Sequence, residues 1–137
     1  MRHLLPLVLF AAPHVAQDKP LDKLAGSYVV TEFHREGKAV PDDVKKGVTA
    51  VKFDGDRFTV TMGGKTLTAK VKVDATKKLA EIDLFPQTEP FEKDRPFKGI
   101  YELKDKTLTI TYVEDGERPK DFTSEAKTST KLVLERK

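Results

Sequence analysis

The chain has no cysteine and no tryptophan, and only two methionines and three histidines among its 137 residues. Without Cys there is no disulfide framework, no thiol nucleophile and no lipid-anchor cysteine, so stability rests on packing and hydrogen bonding alone. With so few His and no Cys, a transition-metal site lacks its usual ligands, and no cofactor is expected. Long apolar runs are missing after the N-terminus, which excludes an integral membrane helix from the rest of the chain. Charge of one sign is missing too: 25 basic against 22 acidic residues leave only +3. Lys70 and Lys72 share one polar strand face, but acidic residues are interspersed throughout. Nucleic-acid binding needs clustered Lys and Arg with stacking aromatics, and the sequence has no such stretch. What remains is one domain's length with a 38% hydrophobic content that includes 8 Phe and 3 Tyr, enough for one modest core.

Residues 1–16 read as a signal peptide. Arg2 supplies the positive start, Leu4 to Ala12 an apolar stretch too short to anchor in a bilayer, and Ala16 a small residue for cleavage. His14, three residues before that cut, is larger than signal peptidase prefers, so the cut is open by several residues. Processing after Ala16 removes Arg2, the one charged side chain of the segment, and lowers the net charge from +3 to +2. The expected address is exported: periplasm, cell envelope or medium. Residues 17–25 form a lead-in and residues 26–137 the domain proper.

From Gly26 onward apolar β-branched and aromatic residues alternate with Thr, Lys and Glu, the period of half-buried strands. Eight runs follow: Ser27 to Arg35, Val48 to Asp54, Arg57 to Met62, Leu67 to Val73, Leu79 to Phe85, Lys98 to Leu103, Thr107 to Val113 and Lys131 to Arg136. Within the second, Val51 and Phe53 are read as lying on opposite faces. Asp54-Gly55-Asp56 and Gly63-Gly64 supply tight turns, because Asp and Gly tolerate positive φ. A short helical turn through Val44 to Lys46, closed by Gly47, interrupts the first connection. Pro86 to Pro96 and Glu114 to Ser129 read as polar surface loops. Strands joined mostly by tight turns, without a long amphipathic helix, predict an all-β fold, a small eight-stranded antiparallel up-and-down barrel. Closure removes sheet edges and so favours the barrel over a sandwich.

Several residues carry a resemblance. Leu24-Ala25-Gly26-Ser27-Tyr28 opens the first strand, with Gly37 and Pro41 after it and Ile82-Asp83 with Pro86 in the fifth. Gly99-Ile100-Tyr101-Glu102-Leu103 precedes Leu108, then come Arg118-Pro119, Phe122 and a closing Leu132-Val133-Leu134 with Arg136. In this order and spacing the chain, from about Leu24 to Arg136, resembles a lipocalin-like family of uncharacterised exported domains found mainly in planctomycete bacteria. The resemblance implies a lipocalin-like barrel and an exported address, and no activity. It also implies closure of one barrel end around Gly26 and Tyr28, where members usually carry Trp, with Arg136 of the last strand over the aromatic ring.

Catalytic chemistry finds little footing. After processing, His34 is the remaining histidine, with no nucleophile-elbow pattern to pair with it. Asp54 with Asp56, and Asp42 with Asp43, lack the late Glu of a Ca²⁺ loop and read as turns. Asp83 sits inside a strand run; if it points inward it needs a partner such as Arg118 or Arg95. A structural ion pair with Arg118 is the simpler reading, and an enzyme is not expected. The lumen itself is the remaining candidate, since an eight-stranded barrel either fills with side chains or holds one small ligand. Its expected lining is Val30, Phe58, Val60, Val71, Ile100, Leu108, Ile110 and Tyr112, with the mouth near Pro86 to Pro96. Two functions compete: binding of a small apolar molecule at the mouth, or a filled barrel serving as a structural or protein-interaction domain of the envelope.

Overall fold

The computed structural model describes residues 20–88, 91 and 93–137; the segment read as a signal peptide lies outside the described residues. A helical turn over residues 20–24 (α1) leads into β1 (Gly26–Arg35), β2 (Lys38–Ala39), a second short helix α2 (Asp42–Lys46), β3 (Val48–Asp54), β4 (Arg57–Met62), β5 (Lys65–Asp74), β6 (Glu81–Pro86), β7 (Phe97–Lys104), β8 (Thr107–Val113) and β9 (Ser129–Arg136). Each of the eight alternating runs forms a strand. β2 is an addition, a two-residue edge strand that folds back on β1 through Glu36 and Gly37. Both turn residues have positive φ, 50° and 82°, the pair of angles a two-residue hairpin needs.

From β3 to β9 every strand pairs antiparallel with the next, and β1 pairs with both β3 and β9, which closes the sheet into an eight-stranded up-and-down barrel. The β1–β3 ladder is short, from Gly26↔Phe53 to Tyr28↔Val51. The β1–β9 ladder runs from Tyr28↔Arg136 to Arg35↔Thr130. A register shift between Val30 and Glu32 interrupts the β1–β9 ladder, which continues on both sides of it, and changes the side-chain parity. Tyr28 and Val30 point inward before it, and Phe33 points inward after it. A similar shift between Val48 and Ala50 puts Val48, Val51 and Phe53 on the lumen side together. The expectation that Val51 and Phe53 lie on opposite faces is therefore corrected: beyond the bulge the strand is regular, and residues two apart share a face.

One end of the barrel is closed. Arg136 lies over the Tyr28 ring, its Cζ 5.4 Å from the ring centre, and donates through Nη2 to Tyr28 Oη at 2.9 Å and to the Lys23 carbonyl. Tyr28 Oη donates in turn to the Leu24 carbonyl at 2.7 Å. Leu21 and Leu24 of α1 cover this plug, and Phe53 meets the Tyr28 ring edge-on at 5.8 Å. Gly26, at φ +139°, leaves room for Arg136, whose Nε would stand 3.3 Å from a Cβ there. Further up the lumen Val71, Leu108, Ile110 and Leu134 are buried and fill the cross-section.

A second buried layer lies outside the barrel. Ile100 pairs with Glu81 and Thr111, on the face opposite to Phe97, Tyr101 and Leu103, and it is buried at 2% exposure away from the lumen. Its place in the expected lining is thus corrected. The loop from Glu114 to Thr128 lies over this outer face, where Thr111, Val113 and Ser129 are buried beside it. Arg118 pins the loop, donating to the Gly99 carbonyl at 2.9 Å and the Ile82 carbonyl at 3.3 Å. Its Nη1 is 2.8 Å from Asp83 and its Nε 3.6 Å from Glu81.

The plug supplies the first test. Tyr28→Phe leaves the buried Leu24 carbonyl without its donor and takes an acceptor from Arg136, so it should lower unfolding free energy by about 2 kcal/mol in urea titration. A change near zero would mean that the plug is held by ring packing alone.

Candidate functional site

At the end opposite the plug the lumen opens into a cavity of about 100 Å³. Val48 and Val51 of β3 and Val60 and Met62 of β4 form one side, with Phe58 deeper on the same strand. Phe97 of β7 and Tyr112 of β8 form another. Ala69, Leu84 and Pro86 join these sides on one flank, and Val30, Phe33 and Leu132 on the other. The rim carries Leu67, Thr68, Thr88 and Phe91, of which Leu67 and Phe91 are each 37% exposed. Exposed large apolar side chains at the edge of an apolar hollow are what a binding mouth needs and what a packed core avoids.

The aromatic side is ordered. Phe97 and Tyr112 are stacked with ring planes 4° apart and centres 5.7 Å apart, and Phe91 meets Phe97 edge-on at 5.2 Å and 88°. Gly99 makes the arrangement fit: a Cβ at this position would stand 2.9 Å from Tyr112 Cβ and 2.7 Å from the Thr111 carbonyl oxygen. Among the described residues the polar groups at the mouth are few. Thr88 Oγ1 accepts from the Thr68 amide at 3.1 Å, and the Tyr112 phenol is pushed above its ordinary value, chiefly by burial.

Of the residues expected to line the lumen, Val30, Phe58, Val60 and Tyr112 border the cavity. Val71, Leu108 and Ile110 face inward but belong to the filled section below it. Ile100 is outside. Val48, Val51, Met62, Leu84, Phe97 and Leu132 complete the wall, and the β7 error hid Phe97. The signal was present: Lys98, Ile100, Glu102 and Lys104 share one parity, and Phe97, Gly99, Tyr101 and Leu103 the other. Two charged neighbours on its own face mark Ile100 as outward.

Asp83 faces outward as well, since Ile82 and Leu84 take the core side of β6. It is half-buried in the Arg118 clamp and faces no cavity of the lumen. His34 Nε2 lies 3.2 Å from Glu32 Oε1 on the outside of β1. Among the described residues no group of three His, Asp or Glu is placed to hold a metal ion. Comparison with protein-family models, with curated proteins and with solved structures gives no match.

The buried phenols give a pH test. Burial raises the folded-state values of Tyr112 and Tyr101 above the ordinary 10.0. The unfolded chain therefore loses these protons first, so their contribution is full below about pH 10 and is lost as pH rises through the folded values. Melting temperature followed from pH 8 to pH 12 should fall above pH 10, with a shallower fall in Tyr112→Phe. Identical slopes in the two proteins would remove Tyr112 from this account.

Proposed function

We propose that the chain is an exported, non-enzymatic binding module, allied to the lipocalin-like exported domains, that takes part of a small apolar molecule into the open mouth of its barrel. The observation that carries this reading is the asymmetry of the lumen: one end is plugged and filled, and the other ends in an apolar hollow with an apolar rim. A dry cavity of about 150 Å³ holds a benzene molecule. The hollow here, about 100 Å³, takes a smaller group or part of a ring, with the rest of the ligand lying against Leu67 and Phe91. A long lipid does not fit inside.

The competing reading, a filled barrel acting as an envelope interaction domain, draws on the lower lumen, where Leu108, Ile110 and Leu134 are completely buried. Val60→Trp separates the two by filling the mouth. Native mass spectrometry of protein from its source should find a co-purified apolar molecule on the wild type and none on Val60→Trp. Across lipid and metabolite panels a saturating binder should raise the melting temperature of the wild type only. No binder in any panel, with the variant unchanged in every assay, would hand the case to the filled barrel. For the address, N-terminal sequencing of protein recovered outside the cytoplasm should start near Gln17; an unprocessed chain held in the cytoplasm would sink the export reading.

A further inference from the structure

The two sides of the mouth that face each other differ in kind. Counting round the closed sheet, β7 and β8 are four strands from β3 and β4, so these pairs stand opposite across the lumen. Above Phe58, β3 and β4 offer branched or flexible aliphatic groups, notably Val60 and Met62. β7 and β8 offer the stacked rings of Phe97 and Tyr112, which share nearly one orientation. Phe91, perpendicular to Phe97 and 37% exposed, carries the aromatic surface out to the rim.

We infer that the part of the ligand that enters the mouth is a planar aromatic ring rather than an alkyl chain or a puckered ring. The inference rests on the proposed binding at the mouth and specifies what is bound there. Parallel, offset rings in one wall present aromatic edges and part of a face, and their quadrupoles favour an offset or edge-on aromatic partner beyond what area burial provides. An alkyl chain gains nothing from that surface beyond its area. The opposite wall suits the second face of the same ring, since Val methyls pack on it and the Met62 sulfur makes a favourable contact with an aromatic edge. Size agrees: a hollow of about 100 Å³ admits one ring part-way, which leaves the outer part of the ligand against Phe91.

The test uses 2-naphthol and its saturated counterpart decahydro-2-naphthol, which have the same carbon skeleton and hydroxyl but differ in planarity and aromaticity. In an NMR titration of the isotope-labelled protein, 2-naphthol should bind about tenfold tighter, and its ring current should move the methyl resonances of Val60 and Met62. Phe97→Leu keeps the wall apolar and should bring the ratio of the two affinities from about tenfold toward one. Should that variant fail to fold, Phe91→Leu at the exposed rim should narrow the preference in the same direction. Equal or tighter binding of decahydro-2-naphthol, or a preference untouched by the folded variant, overturns the ring inference and leaves an apolar binding mouth standing. Absence of binding by either compound takes down both.

Discussion

Everything in this barrel hangs on the pairing of its first strand with its last. β1 and β9 come from the two ends of the described chain, and their ladder from Tyr28↔Arg136 to Arg35↔Thr130 turns an open meander into a closed one. Closing so distant a pair costs chain entropy, and no disulfide offsets it. The return is burial of inward side chains from all eight strands. Leu108, Ile110 and Leu134 are completely buried, each worth roughly 1.5–3 kcal/mol relative to exposure. The β1–β9 ladder continues on both sides of the bulge at Thr31, which shifts the inward face of β1 from Tyr28 and Val30 to Phe33, whereas the ladder with β3 ends after three pairs.

Closure fixes the width of the lumen but leaves both ends to be finished, and the chain finishes them differently. At the closed end the Arg136 guanidinium serves the ring and the helix together. It covers Tyr28 and donates to the Lys23 carbonyl, while Tyr28 Oη donates to the Leu24 carbonyl. These carbonyls belong to the last turn of α1, where carbonyl groups have no partner within the helix and a cation is favourable. An aliphatic side chain in place of Arg136 would fill space but leave the Lys23 carbonyl without this donor. Among the described residues the mouth has no such device: Leu67 and Phe91 stay partly in water, and the polar groups lining it are threonine hydroxyls and one partly buried phenol.

The strand pattern of this fold was plain in the sequence because most of its strands have one wet face. Lys70 and Lys72 alternating with Val71 and Val73, or Thr109 between Leu108 and Ile110, show the period plainly. Legibility failed where a second layer hides the outer face. Ile100 and Val113 are apolar and point outward beneath the loop from Glu114 to Thr128; Lys98 and Glu102 mark the direction of Ile100, but nothing local in β7 announces the cover that buries it. The Asp83 clamp was half legible. Charge offers Arg118 or Arg95 as its partner, and the fold brings Arg118 to it, whereas its direction depends on which side of β6 the core takes. α1 was missed because five residues are too few to show a helical period, and its helical geometry is joined to the plug through the Lys23 and Leu24 carbonyls. The Phe91, Phe97 and Tyr112 group is drawn from three separate segments, so only the folded register brings it together.

The limited size of the mouth follows from the same constraint as the closure. A domain of this length without cross-links draws its stability from a packed interior, and each unfilled layer of the lumen removes buried contacts. The filled layers from Tyr28 up to Ile110 therefore set how far the opening can reach. What is left is the final layer, where strand ends meet water and where packing contributes least to the fold. Only there does an apolar surface remain open at small cost to folding, so the shallow depth of the hollow and the stability of the barrel have one physical origin.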